Sequence, residues 1–179
     1  ALALEPDLPD AVFVEDAAIV LDELALIARP GAASRRPETR TVARALARYR
    51  PLATLKPPAT LDGGDVLRVG SDAPSGSPDE ASGRALYVGL SQRSSRAAIE
   101  QMRTILAPLG YNVWGVPVHG CLHLKSAVTL VAEGTILVQP DWIDTVELDE
   151  LEFAVRRAAE GDYGMISSPG TLVPERRDA

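Results

Sequence analysis

The chain repeats one order of elements three times, and that repeat limits its possible folds more than any other feature. Residues 12–20 alternate in the manner of a strand, and Ala25–Ala28 reads as a second strand beyond a tight turn at Asp22 and Glu23. Ser34–Pro37 opens a helix that runs through Thr41–Ala47, and Leu52–Leu55 gives a third strand. The order recurs with a hairpin of Asp65–Gly70 and Ala85–Gly89, a helix through 97–106 with Ser91 as candidate N-cap, and a strand at Tyr111–Val116. A third hairpin joins Ala127–Val131 to Thr135–Val138. Asp16 and Asp65 stand 49 residues apart at the same place in the first two copies, and Ser126 holds that place 61 residues further on.

Each unit is strand, strand, helix, strand, so the fold class is α/β. Repeated sheets of this size commonly pack around a centre, which aims the residue before each hairpin at one axial site. An ordinary α/β layer is the alternative. About three units are present, within one domain over residues 1–159. A helix is expected over 152–159. Residues 71–83 read as a long hairpin loop, and 160–179, rich in Gly, Ser, Pro and charge, as a loose tail.

Composition narrows the function. A net charge of −7 disfavours nucleic acid as the main partner, because phosphate neutralisation needs clustered Lys and Arg. No apolar run reaches the ~18 residues of a membrane span, and no leader pattern opens the chain. The single cysteine, Cys121, excludes an internal disulfide and fits a reducing, cytoplasmic setting.

The candidate site residues cluster at the repeat positions. Asp10, Glu15 and Asp16 gather at the first strand entry, where alternation puts Glu15 and Asp16 on opposite faces. A carboxylate there accepts two parallel hydrogen bonds from a guanidinium, although turn capping or solvent exposure also accounts for such acids. Asp62, in Asp62-Gly63-Gly64-Asp65, marks either a site acid or a tight turn. His123 leads into the third hairpin, where an imidazole suits proton transfer near neutral pH. His119, Cys121 and His123 share a face if the segment is extended, but no fourth ligand accompanies them, so no metal is expected and Cys121 reads as a core residue. Arg35 and Arg93 each follow a hairpin, placed to bind a substrate carboxylate or to remain solvated.

Five segments in this order resemble the dimethylarginine dimethylaminohydrolase family of guanidino-group-modifying enzymes. They are Val12–Asp16, Arg29–Gly31 with Ser34–Arg36, Leu61–Leu67, Gly89–Arg93 and Leu122–Ser126. The resemblance implies a five-bladed α/β-propeller, here partial, and hydrolysis of N-methylated arginine to citrulline and dimethylamine without metal or cofactor. It implies His123 and Asp62 as catalytic residues. It further implies Asp10, Glu15 and Asp16 at the guanidinium and Arg35 and Arg93 at the α-carboxylate. Related deiminases and amidinotransferases carry an acid where this chain has Lys125, which points to an alkylated guanidine as substrate. The family's nucleophilic cysteine falls in the last blade, and Cys121 does not match it. The chain as given is therefore expected to be inactive, and a ligand-binding relative or inactive fragment is the alternative. An incomplete ring can complete itself through a second copy, so a homo-oligomer is admitted.

Overall fold

The computed structural model describes residues 2, 5–69, 84–132, 135–143 and 164–167. Among the described residues, nine strands form three sheets of three. In the first, β1 (Ala18–Val20) pairs antiparallel with β2 (Ala25–Ile27), which pairs parallel with β3 (Leu52–Thr54). The second repeats this, with β4 (Val66–Val69) antiparallel to β5 (Ala85–Leu90) and β5 parallel to β6 (Asn112–Pro117). The parallel pairs are joined through helices α1 (Thr39–Leu46) and α2 (Arg96–Leu106), because a parallel neighbour needs a crossover.

The third sheet starts alike, with β7 (Val128–Ala132) antiparallel to β8 (Thr135–Val138). Its last strand, β9 (Gly164–Ser167), departs from the pattern by running antiparallel to β8. These four residues belong to the segment expected to be a loose tail. The expected loop at 71–83 and helix at 152–159 lie outside the described residues. No described helix is long and apolar enough to cross a membrane.

The middle sheet is buried on both faces. Leu86 and Val88 of β5 enter a core shared with Leu26, Leu61, Ile99 and Met102, while Ala85 and Tyr87 enter a second core with Val116, Leu124 and Ile136. Alternation along β5 thus ties two cores together. Helix α2 closes the first core with Ala98, Ile99, Met102 and Leu106, a stripe along one helix face. It ends through a short 3₁₀ turn at Gly110, whose φ of 80° suits a residue without Cβ.

Two local expectations differ from the structure. Residues 12–17 are not strand: Pro9–Val12 and Val14–Ala17 form successive 3₁₀ turns, and the strand begins at Ala18. Asp16 accepts hydrogen bonds from outside the segment and thereby anchors this tighter path. Ser91 does not cap α2, which starts at Arg96 after Ser95. The Ser91 hydroxyl donates to Asp65 instead (2.6 Å).

Candidate active site

Three short helical turns precede the three hairpins, beginning at Val14, Gly63 and Leu124. The residue just before each turn is Phe13, Asp62 and His123 in order. Successive units are also bound together. The Asp16 carboxylate accepts the Gly64 N–H of the second turn (2.8 Å), and the Asp65 carboxylate accepts the Leu124 N–H of the third (2.9 Å). A backbone N–H held by a buried carboxylate is a charge-assisted contact, so each unit fixes where the next turn stands.

A cleft of about 600 Å³ opens where the turns meet, and Asp10, Glu15, Asp16, Arg35, Arg93 and His123 all line it. Asp62 is fully buried and does not itself line the cleft; it reaches it through His123, 3.3 Å away. A second cleft, about 450 Å³ between the N-terminal segment and α1, is mainly apolar, and among the described residues Glu5 and Glu38 are its ionisable groups.

Asp62 and His123 face each other at 3.3 Å, Oδ2 to Nε2. Asp62 Oδ1 accepts the Gly31 N–H (2.8 Å). Burial works to raise the Asp62 pKa, but His123, the Gly31 N–H and the Arg93 charge together hold it below its ordinary 3.8. The hydrogen bond to Asp62 raises His123 above its ordinary 6.5 against the opposing effect of burial, and the negative charges of Asp65 and Asp16 add to the rise. Both shifts favour the carboxylate–imidazolium form of the pair, which suits His123 to donate a proton.

Gly64 makes this close approach possible. A Cβ at Gly64 would sit 2.8 Å from both Cγ and Nδ1 of the imidazole. At Gly63 it would sit 2.0 Å from the Glu15 carbonyl oxygen. The two glycines expected to form a turn also let three chain segments meet.

Asp16 is buried and Glu15 exposed, as the opposite-face expectation has it, although a 3₁₀ turn separates them rather than a strand. Arg35 Nη1 donates to Asp16 Oδ2 (2.7 Å), and Arg35 Nε and Nη2 donate to Glu38 (3.1 Å and 2.9 Å to Oε2). Arg35 Nη2 also donates to the Asp10 carbonyl (3.2 Å). Burial opposes the Arg35 charge, yet Glu38 and Asp16 raise its pKa above the ordinary value. Arg35 thus lines the cleft with its donors already engaged by its own protein. Glu15 pairs with Lys125 across the mouth, linking the first and third turns. The Asp10 side chain is exposed at the rim.

Arg93 lies in the turn before α2, with Nη1 3.6 Å from Asp62 Oδ2. That nitrogen is shielded from solvent and has no hydrogen-bond acceptor among the described residues.

Several supporting residues escaped the sequence reading. Ser91 and Ser94 both donate to Asp65 Oδ2 (2.6 Å each), and Ser94 Oγ accepts the Asp62 N–H (3.2 Å). Burial pushes the Asp65 carboxyl above 3.8 despite these donors. Glu38 and Gly31 complete the set. The run of hydroxyls at Ser91, Ser94 and Ser95 was the visible signal.

Cys121 does not face the cleft chemistry. Its thiol donates to the His123 carbonyl (3.3 Å), and burial raises its pKa above 9.0. A thiol so held is a poor nucleophile. His119, Cys121 and His123 do not share a strand, since 120–123 is a bend. One donor atom each from Asp16, Asp62 and His123 lies within 4.8 Å of the other two. Both carboxylates already accept N–H donors, and Arg35 and Arg93 bring two positive charges beside them.

No family model matches the chain. It is 46% identical over 132 residues to the N(G),N(G)-dimethylarginine dimethylaminohydrolase of Streptomyces coelicolor, covering 73% of this chain and 46% of that one. The enzyme of the same name from Pseudomonas aeruginosa is 30% identical over 151 residues, covering 82% and 54%. The chain belongs to the dimethylarginine dimethylaminohydrolase-like family. It spans about half the length of the curated relatives it matches. A solved structure of the Pseudomonas aeruginosa protein, a cysteine-to-serine variant complexed with citrulline, superposes with a TM-score of 0.62 at 31% identity, over 71% of this chain and 46% of that one. The N-terminal domain of ArgZ, a cyanobacterial arginine dihydrolase, reaches 0.68 at 19% identity over 84% and 52%, and shares the α/β fold.

Proposed function

We propose that the chain carries the guanidinium-binding and proton-transfer part of an amidine hydrolase acting on N-methylated arginine. The observation that carries this reading is the convergence of Asp16, Asp62 and His123 within 4.8 Å of one another, with Asp16 and His123 lining one cleft and Asp62 buried behind His123. Each Asp16 oxygen accepts one donor and keeps a lone pair for a ligand N–H. Glu15 and Asp10 add negative charge at the mouth and rim, and Arg93 offers a cation for a ligand carboxylate. The repeated units fit blades of a five-bladed α/β-propeller, supported by the Asp16 and Asp65 links from each unit to the next.

In the full reaction a cysteine thiolate attacks the guanidinium carbon. The bond to the dimethylamino nitrogen breaks, and that nitrogen leaves with the His123 proton. Water then hydrolyses the thiouronium to citrulline and returns the thiol. Cys121 cannot supply the sulfur, because it is tied to the His123 backbone as a thiol. The 179 residues alone therefore bind without turnover. The single cysteine fits a cytoplasmic setting.

Calorimetry with N,N-dimethyl-L-arginine tests the reading. The chain binds it, and Asp16→Asn weakens binding about 10- to 100-fold, the value of a charge-assisted hydrogen bond. Unchanged affinity in Asp16→Asn refutes the assignment. Citrulline released by the purified chain refutes its inactivity.

A further inference from the structure

We infer that Arg93 is a positioning residue that couples recognition of a ligand's carboxylate to proton occupancy of His123. The inference rests on the guanidino-ligand reading of the cleft and adds a linkage inside it.

The Arg93 backbone is fixed. Its N–H donates to Ser91 Oγ (2.9 Å), and Gly31 lies so close that a Cβ there would be 2.6 Å from the Arg93 carbonyl oxygen. The side chain enters the cleft from this anchor, leaving Nη1 buried without an acceptor. A buried donor without a partner is costly, so it marks a place where an acceptor belongs. The nearest carboxylate oxygen is Asp62 Oδ2 at 3.6 Å, beyond a good hydrogen bond.

That same oxygen faces His123 Nε2 at 3.3 Å. Asp62 Oδ1 is committed to Gly31, so Oδ2 serves two cations. A guanidinium near this oxygen makes protonation of the imidazole less favourable. The other charged groups around His123 already hold partners within the protein. Asp16 is tied to Arg35, Asp65 to Ser91 and Ser94, and Lys125 of its own turn to Glu15. Arg93 is the one of these charges with a buried donor that has no acceptor among the described residues, so it is the one whose pairing a ligand carboxylate changes. A ligand carboxylate gives Nη1 its missing acceptor and offsets its charge, which leaves Asp62 Oδ2 to the imidazolium. Guanidines without a carboxylate then lose proton delivery as well as affinity.

The test is an NMR titration of the 179-residue chain with labelled histidine. There are two histidines, and exposed His119 serves as internal control. In the ligand-free chain, Arg93→Gln moves the His123 titration to higher pH, while Arg93→Lys, which keeps the charge, leaves it near wild type. L-citrulline raises the wild-type His123 titration more than its decarboxylated counterpart, N-carbamoylputrescine, and this difference disappears in Arg93→Gln. A His123 titration in ligand-free Arg93→Gln that matches or falls below wild type overturns the proposal. So does a ligand difference that persists in that variant, because the ligand's own charge then acts directly. If neither compound perturbs any cleft resonance, the guanidino-ligand reading fails, and the ligand-free comparison still decides the coupling.

Discussion

Replacing Arg35 by Met keeps the length of the stem and removes the guanidinium from between two carboxylates. Asp16 is 7% exposed and Glu38 5%, so neither can turn to water without local unfolding. Removing one partner of a buried ion pair costs about 3–5 kcal/mol, chiefly because the remaining charge is stranded. Two stranded charges place Arg35→Met in the upper part of that range. With a urea slope of about 2 kcal/mol per molar, the midpoint falls by roughly 2 M. Urea melts followed by the fluorescence of Trp114 and Trp142 read this directly. Adding Glu38→Gln to Arg35→Met recovers part of the loss, because one of the stranded charges is gone. A midpoint within roughly 0.3 M of wild type refutes the reasoning, since only a solvent-screened pair is worth so little. In that outcome the guanidinium is free for a ligand carboxylate, the role the family resemblance gives it.

Two further predictions concern the turns and the acid–base pair. Gly63→Ala prevents stable folding, because its Cβ meets the Glu15 backbone, whereas Gly64→Ala meets a side chain that can yield and costs about 1–3 kcal/mol; a melt of each variant checks the order. The Asp62–His123 pair makes stability depend on pH. His123 is raised above 6.5, so its share is complete below pH 6.5 and is lost as pH rises through the raised value. Asp62 is lowered below 3.8, so its share is present above pH 3.8 and lost as pH falls through the lowered value. The deficit of His123→Gln is therefore largest between pH 3.8 and 6.5 and shrinks above it; melts carried from that window up through the raised His123 value that show an unchanged deficit contradict the pairing.

The strands and helices were legible because burial imposes a period on them. Leu86, Tyr87 and Val88 announce a strand buried on both faces, and Ala98, Ile99, Met102 and Leu106 a helix with one apolar side. The segment before β1 was not legible, since alternation at residues 12–16 looks extended while distant partners of Asp16 hold it in 3₁₀ turns. The repeat led to Asp62 and His123, because one position recurs with a reactive group on it. Arg35 shows the limit. An arginine that engages its own protein and one that awaits a ligand have the same letter, and Glu38, three residues on, decides between them through geometry alone. Of the serines that hold Asp65, Ser91 was legible only as a candidate helix cap and Ser94 only as part of a run of hydroxyls.

Phe13, Asp62 and His123 stand at one recurring point of a backbone shape made three times. A phenyl ring, an acid and a base thus reach a common neighbourhood without any new loop being invented for each. New chemistry at such a centre requires only a change of side chain at a place already built, and tandem duplication would have provided the spare places.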